Sequence, residues 1–510
     1  MVAKGKVVIS LDEKIGLINP NIYGQFIEHI GELVYPGVWV GEESDVSNDK
    51  GIREDLLKAL KKINPPVIRW PGGCFADSYH WKDGIGPRKD RPRRVNLWGE
   101  EPNEFGTHEF LYLCKKVKAE PYICLNVGSG SPEEAFSWVE YCNYGGDSYY
   151  TRIRAKNGHP KPFRVKYWGI GNETWGCGGC FKPREYGAEY RRFASYIKRF
   201  ALPSSKDWCE VELVACGHTS RDWNYKFMEE LKDHIQFVDH LSFHYYFGNA
   251  GDDVKFTSDE YYALLMQVQE LEYQIQQTLS VVDFFAEGRK HIGIVIDEWG
   301  SWHPQATLEN KFRQQNSLRD AILAACVLNL FNRYSKHVFM SNISMLVNVL
   351  HSLFLTSGSR MITTPTYHVY DMYKEHMGNN ALRADVSCPI VKEAPPSPKS
   401  FIVDLPKRES KPMLFLNVSA STNIEENQLI LTLVNQSFDE EIETEISLIG
   451  SKRMNEGKVT VLTNRDARAF NDFEAPNRVK PTQEMLSVKH AGITYVAPPH
   501  SINSLKILLI

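Results

Sequence analysis

Trp168-Gly169-Ile170-Gly171-Asn172-Glu173 decides how this sequence is read. The apolar run at 165–168 leads into a glycine turn that delivers an Asn-Glu pair at its end. A second carboxylate arrives in the same way, where Ile292-Gly293-Ile294-Val295-Ile296 runs into Asp297-Glu298-Trp299. Short apolar runs closed by glycine and polar residues read as buried parallel strands. Two glutamates at the C-terminal ends of two such strands can face each other across a barrel mouth. Facing carboxylates are what cleavage of a glycosidic bond requires. A single strand-end glutamate is more often a salt-bridge partner or a helix cap. It is the pair, each with its neighbours, that points to chemistry.

The surrounding pattern predicts strands at 22–26, 67–70, 120–126, 165–170, 210–216, 237–245, 292–296 and 338–343. Helical periods lie between them at 51–62, 107–118, 132–141, 183–200, 225–234, 258–288 and 316–334, with a last helix at 367–375 opened by Thr364-Pro365. This alternation predicts an α/β fold, a (β/α)8 TIM barrel with loop insertions. A doubly wound sheet would more often carry a glycine-rich phosphate loop after its first strand, and none is found. After about residue 385 the texture changes. Ala394-Pro395-Pro396-Ser397-Pro398 reads as a linker, followed by alternating β pattern at 413–420, 428–435, 441–447, 458–463 and 502–509. That predicts a C-terminal antiparallel β-sandwich, jelly-roll-like, to which a first strand at 5–11 would be added. The expected division is residues 1–18 joining the sandwich, 19–384 forming the barrel and 385–510 forming the sandwich.

Bulk properties narrow the classes of function. With 510 residues the chain is too long for one core. A composition of 42% hydrophobic and 24% charged residues is that of an ordinary globular protein, and a net charge of −4 argues against nucleic acid or an anionic membrane as partner. The 11 Trp and 24 Tyr suit stacking on sugar rings, although core packing accounts for most aromatic residues. The first ten residues lack the apolar segment of a signal peptide, and no apolar run reaches 18 residues, so a cytoplasmic location is expected. The 10 cysteines are scattered, with one CxxC at Cys177-Gly178-Gly179-Cys180 and no second pair to make a zinc ribbon. They are expected to be reduced and mostly buried, with neither metal nor cofactor.

Polar residues collect where the predicted strands end. They include Gln25, Glu28 and His29 after the first, Arg69 and Cys74 around the second, Asn126 at the third, Asn172 and Glu173 after the fourth, His244 and Tyr246 on the sixth, and Glu298 on the seventh. A face lined this way suits a hydroxyl-rich ligand. On these residues, and on the segments 23–41, 68–94, 105–109, 121–131, 167–179, 242–246, 295–302 and 364–374, the chain resembles the α-L-arabinofuranosidases of glycoside hydrolase family 51. The match spans the barrel; the sandwich agrees in length only.

The resemblance implies a retaining mechanism, with Glu173 as acid/base and Glu298 as nucleophile. The acid must hold a proton near neutral pH, which the negative Glu298 favours until it is glycosylated. It also implies sugar contacts from Glu28, Cys74, Asn172 and Tyr246. Glu28 has a salt bridge to Arg69 as its structural alternative. Arg69 could orient the catalytic carboxylates or form a purely structural ion pair, and His244 could contact Glu298 or Glu173 or be structural. Trp98, Trp175, Trp299 and Trp302 line the pocket or pack in the core. His351 stands where the family usually has a sugar-binding Gln, so it is taken as a candidate glycone contact. Cys180 replaces a common Asn, and Cys74 and Cys177 lie beside the site.

The implied activity is exo-acting release of terminal non-reducing α-L-arabinofuranosyl groups from arabinoxylan- or arabinan-derived oligosaccharides. The family implies a homo-oligomer, often a hexamer. A β-xylosidase or β-1,4-glucanase on the same scaffold is the alternative that His351 keeps open. A binding protein without catalysis would have been signalled by loss of either glutamate, and both are present.

Overall fold

The computed structural model of the chain describes residues 3–200, 207–391, 411–489 and 492–510. The expected linker at 394–398 lies outside them. Eight strands close a parallel barrel in sequence order: Gly24–Phe26, Val67–Trp70, Glu120–Leu125, Tyr167–Ile170, Glu212–Cys216, His240–Gly248, Gly293–Trp302 and Val338–Ile343. They are numbered first to eighth below. The sixth and seventh run past their expected ends, to Gly248 and Trp302, and pair there with His244 opposite Glu298 and Tyr246 opposite Gly300. Val67, Tyr122, Tyr167, Val214, Val295 and Met340 form a separate apolar cluster contributed by six of these strands. Such inward side chains fill a barrel of this size and leave its polar residues to the open end.

The helices begin where local chemistry supplies a cap. Ser131 accepts from the Glu134 N–H ahead of Pro132–Asn143, and Thr257 with Glu260 forms a capping box that opens Ser258–Ala286. Glu54–Ile63 buries Leu56, Leu57, Leu60 and Ile63 on one face and ends at Asn64 in the left-handed region. Leu318–Arg333 differs, being buried at every position from Leu318 to Asn332. Its burial all round follows from its place between the barrel and a second sheet.

That second sheet has ten strands, in the order Thr482–Leu486, Met454–Leu462, Ser501–Leu509, Gln428–Asn435, Leu416–Thr422, Asn380–Ser387, Ala3–Leu17, Ile442–Ile449, Gly492–Ala497 and Val488–Lys489. It is antiparallel throughout, save for one pair. Ala3–Leu17 runs antiparallel to Asn380–Ser387 and parallel to Ile442–Ile449. Polar contacts fasten it to the barrel helices: Asn329 Nδ2 donates to Asn417 Oδ1 at 3.1 Å and Arg333 Nη1 to the Val418 carbonyl at 2.9 Å.

His376, with no solvent exposure, sits at the same junction, its two ring nitrogens each 2.7 Å from the hydroxyls of Ser421 and Thr432. Burial pulls this imidazole down to about 3. Its folded value therefore lies below the unfolded value of about 6.5, so its contribution to stability is complete above that pH. It is lost as pH falls toward 3, by up to about 1.4 kcal/mol per pH unit. His376→Ala is expected to cost about 2–4 kcal/mol at pH 7. Its melting temperature should then fall less steeply than that of the wild type between pH 6.5 and 4, which thermal denaturation at several pH values measures.

Candidate active site

Arg69 lies on the second strand, with Phe26 and Tyr122 as its register neighbours on the first and third. Its guanidinium is 4.6 Å from the Phe26 ring centre, and the side chain is fully buried. Nη1 donates to Glu298 Oε1 at 2.7 Å and Nη2 to Asn172 Oδ1 at 2.7 Å, while Nε is 3.7 Å from Asp297 Oδ2. Burial disfavours the charge, but Asp297 and Glu298 outweigh it and hold the cation firmly charged. Arg69 thus orients Glu298 directly and fixes Asn172, the residue beside Glu173.

Glu298 accepts a second hydrogen bond on Oε2, from the Tyr246 hydroxyl at 2.7 Å. Both its oxygens are held, and it is only 5% exposed. Glu173 is more open. Gly171 (φ +82°) turns the chain after the fourth strand, and Glu173 itself lies in the left-handed region (φ +37°). A Cβ at Gly171 would come within 2.8 Å of the Thr174 methyl, so glycine is required there. Glu173 Oε1 accepts from His244 Nδ1 at 2.9 Å. One atom each of Glu173, His244 and Glu298 falls within 4.8 Å of the other two. Those three could surround a cation by spacing alone, but an imidazole that presents an N–H to both glutamates has no lone pair for a metal there.

Cys74 and Cys177 form a disulfide, contrary to the expectation that they are reduced. The loops after the second and fourth strands bring their Cα atoms to 5.6 Å, within the usual bridging range. No sequence spacing reports a meeting of two loops. Glu173 Oε2 lies 3.8 and 3.6 Å from the two sulfurs, which carry no hydrogen to donate, so they form a low-polarity wall on that side of the carboxylate. The other described cysteines are free, and Cys180 is exposed.

Glu28 does not pair with Arg69, which is engaged elsewhere. Its Oε1 accepts from the Phe75 N–H at 3.0 Å and the Trp98 indole at 2.9 Å. Burial first, then the charge of Glu298, pushes its carboxyl up to about 7. Trp98 is carried at the tip of the hairpin formed by Arg94–Asn96 and Gly99–Glu101. It begins a row of rings: Trp98 to Phe312 at 5.4 Å, Phe312 to Trp302 at 5.8 Å, and Trp302 to Tyr246 at 5.4 Å. Trp175 is also partly exposed, whereas Trp299 is fully buried and donates to Ser341 Oγ at 3.1 Å.

His351 is placed otherwise than expected. It has no exposure, its Nδ1 accepts from the Ser301 N–H at 3.1 Å, and its Nε2 is 2.9 Å from the Thr366 hydroxyl. Burial pulls the ring down to about 4. With both nitrogens engaged it is a packed neutral histidine behind the seventh strand, without a free polar atom for a sugar.

Two residues of the site escaped the sequence reading. Asp297 precedes Glu298, and neighbours on a regular strand point to opposite faces. The pairing register slips between Ser242 and His244 on one side and between Ile296 and Trp299 on the other. Such an irregularity re-aims side chains, and both acids reach the same cluster. Tyr122 donates to Asp297 Oδ2 at 2.8 Å from the third strand. Although burial disfavours its charge, Arg69 and His244 hold Asp297 down at about 2.

Arg69→Met would strand Asp297 and Glu298 as buried carboxylates. Removing one partner of a buried ion pair typically costs about 3–5 kcal/mol. The melting temperature is expected to drop accordingly at pH 7, and the gap from wild type to narrow as acid protonates the stranded groups.

The chain is similar in sequence and fold to known proteins. The α-L-arabinofuranosidase 1 domain matches residues 59–263 and the α-L-arabinofuranosidase C-terminal domain matches residues 297–501. An intracellular exo-α-L-arabinofuranosidase of Bacteroides ovatus is 38% identical over 486 residues, covering 93% of this chain and 90% of that protein. An intracellular exo-α-(1→5)-L-arabinofuranosidase of Bacillus subtilis is 30% identical and covers 99% of both chains. The crystal structure of the family 51 arabinofuranosidase from Xanthomonas axonopodis pv. citri superposes with a TM-score of 0.90 at 31% identity, over 99% of this chain and 100% of that one. A Thermotoga maritima α-L-arabinofuranosidase in complex with arabinose superposes at 0.87 with 31% identity, over 99% and 100%. These likenesses extend over both parts of the fold, and the chain belongs to the family 51 α-L-arabinofuranosidases.

Proposed function

We propose that the protein is a retaining exo-glycosidase that releases terminal non-reducing α-L-arabinofuranosyl groups by double displacement. The observation that carries this reading is the closeness of Glu173 and Glu298, whose nearest oxygens with His244 fall within 4.8 Å. Retaining enzymes hold their carboxyl groups about 5–5.5 Å apart, while inverting enzymes need roughly 6.5–9.5 Å to admit a water. Glu298 is suited to be the nucleophile because Arg69 and Tyr246 fix both its oxygens. Glu173 is suited to be the acid/base because it is the more accessible of the two and has one oxygen against the disulfide.

In the first step Glu298 bonds to the anomeric carbon as the glycosidic C–O bond breaks, and the proton of Glu173 goes to the departing oxygen. In the second, water bonds to that carbon, gives its proton to Glu173, and the bond to Glu298 breaks. Asn172, held through its Oδ1 by Arg69 and with its Nδ2 3.7 Å from Cys177 Sγ, keeps one amide N–H for a sugar hydroxyl. Glu28, Tyr246 and the Cys74 side of the disulfide complete the sugar's surroundings in this reading. The alternative of a xylosidase or glucanase rested on His351, which is buried and engaged, so the arabinofuranosyl reading is the better supported.

Two relatives carry the word intracellular in their names, which supports action inside the cell on short oligosaccharides. A disulfide is unusual in that compartment. The test is turnover of 4-nitrophenyl α-L-arabinofuranoside beside the β-D-xyloside. Glu298→Ala is expected to abolish turnover. Glu173→Ala should slow breakdown of the glycosyl-enzyme by roughly 10²–10⁴-fold and be rescued by azide. Faster turnover of the xyloside, or no azide rescue, would overturn the reading.

A further inference from the structure

The assignment above leaves His244 and Asp297 without a task, although they lie at the centre of the charges. One His244 nitrogen, Nδ1, is 2.9 Å from Glu173 Oε1 and 3.6 Å from Glu298 Oε1. The other, Nε2, is 3.2 Å from Asp297 Oδ1, an ion pair rather than a well-aligned hydrogen bond. Asp297 is in turn fixed on its second oxygen by Tyr122 at 2.8 Å. Tyr122, Asp297, His244 and the two glutamates therefore form one connected row running from the barrel interior to its mouth.

We propose that Asp297 is a positioning residue that keeps His244 a donor at both nitrogens, so that a single Nδ1–H follows the negative charge from Glu298 to Glu173 as the reaction proceeds. The proposal rests on the roles given to the two glutamates above. Before the first step Glu173 holds its proton and Glu298 is negative. Arg69 and His244 then balance Asp297 and Glu298. In the glycosyl-enzyme Glu298 is an uncharged ester and Glu173 has given its proton away. Arg69 and His244 now balance Asp297 and Glu173. The sum is unchanged, which matters because an unbalanced buried charge is costly. The donor bonds Glu173 Oε1 at 2.9 Å in this structure and stands 3.6 Å from Glu298 Oε1, so a displacement of less than about 1 Å moves its bond from one oxygen to the other. A neutral ring would leave one uncompensated negative charge at every stage. It would also leave a lone pair facing the carboxylates whenever its remaining hydrogen sat on Nε2.

The groups that face His244 are consistent with this. They are Glu173 from the fourth strand, His218 beyond the fifth, and Asp297 and Glu298 from the seventh, with Arg69 and Tyr122 behind Asp297. Burial disfavours the imidazolium, but Glu298 and Asp297 outweigh burial and hold His244 up at about 10. His218, pulled down to about 4 by burial and by the charge on His244, adds no competing cation at neutral pH.

The test is Asp297→Asn in the full-length protein, with Tyr122→Phe as a milder companion. The first readout is histidine side-chain ¹⁵N NMR, with His244→Gln used to assign the signal. Wild-type His244 should stay doubly protonated through pH 8, and in Asp297→Asn it should titrate below that pH. The second is kinetic, on an aryl arabinofuranoside, whose good leaving group makes breakdown of the intermediate limiting. In Asp297→Asn, kcat should fall roughly 100-fold at pH 8, KM should fall with it as the intermediate accumulates, and activity should decline with rising pH along the new His244 titration. Tyr122→Phe should show a smaller loss in the same direction. A merely structural role predicts an equal loss at every pH with KM unmoved, and that result would overturn the proposal. So would a neutral His244 in the wild type. If the wild type failed to turn over arabinofuranosides, the functional reading would fall, while the NMR titration would still decide whether Asp297 holds His244 charged.

Discussion

Everything at the mouth of this barrel depends on one buried cation. Arg69 meets Glu298 through one N–H, Asn172 through another and Asp297 at ion-pair distance, and none of its surface reaches solvent. Two acidic residues adjacent in sequence could not both stay ionised in such a place without it. The rings of Phe26 and Tyr122 lie 4.6 and 5.9 Å from the guanidinium and add attraction of their own to the cation. The fork geometry of arginine then sets where its acceptors stand. Because the acceptors come from the seventh strand and from the turn that follows the fourth, the separation of the two glutamates is set by the barrel's closure together with that turn.

Much of this was legible in advance. The runs at 67–70 and 338–343 have the same bounds in the structure, since buried parallel strands show themselves as short, mostly apolar segments. The sixth and seventh strands were read too short. Their continuations carry Tyr246 and Glu298 of the site, and in a sequence such polar groups signal the end of a strand. Arg69 and Glu298 lie on strands, and Asn172 and Glu173 follow the end of one, which is what makes them stand out in the sequence. Asp297 was not, because strand alternation argues it away from Glu298 and only a slip in register restores it. His351 was misplaced for a simpler reason. A histidine written between Leu350 and Ser352 gives no sign of which way it faces, and here it faces Thr366.

The two glutamates differ in surroundings more than in chemistry. Glu298 has a charged donor and a hydroxyl donor, whereas Glu173 has a shared imidazole on one oxygen and sulfur on the other. A nucleophile benefits from being held still. An acid that must later act as a base benefits from partners that do not commit it to either state.

The second sheet has a consequence for how the chain comes into being. The strand nearest the N-terminus lies inside that sheet, with Val7 opposite Val386 on one side and Ile446 on the other. A ribosome releases that strand long before either neighbour exists. Through most of synthesis its two hydrogen-bonding edges have no partner, which is the condition under which strands aggregate. Joining such distant segments is also slow, because the loop to be closed is long. A folded barrel between them brings the two ends together and so shortens the loop that this strand must close.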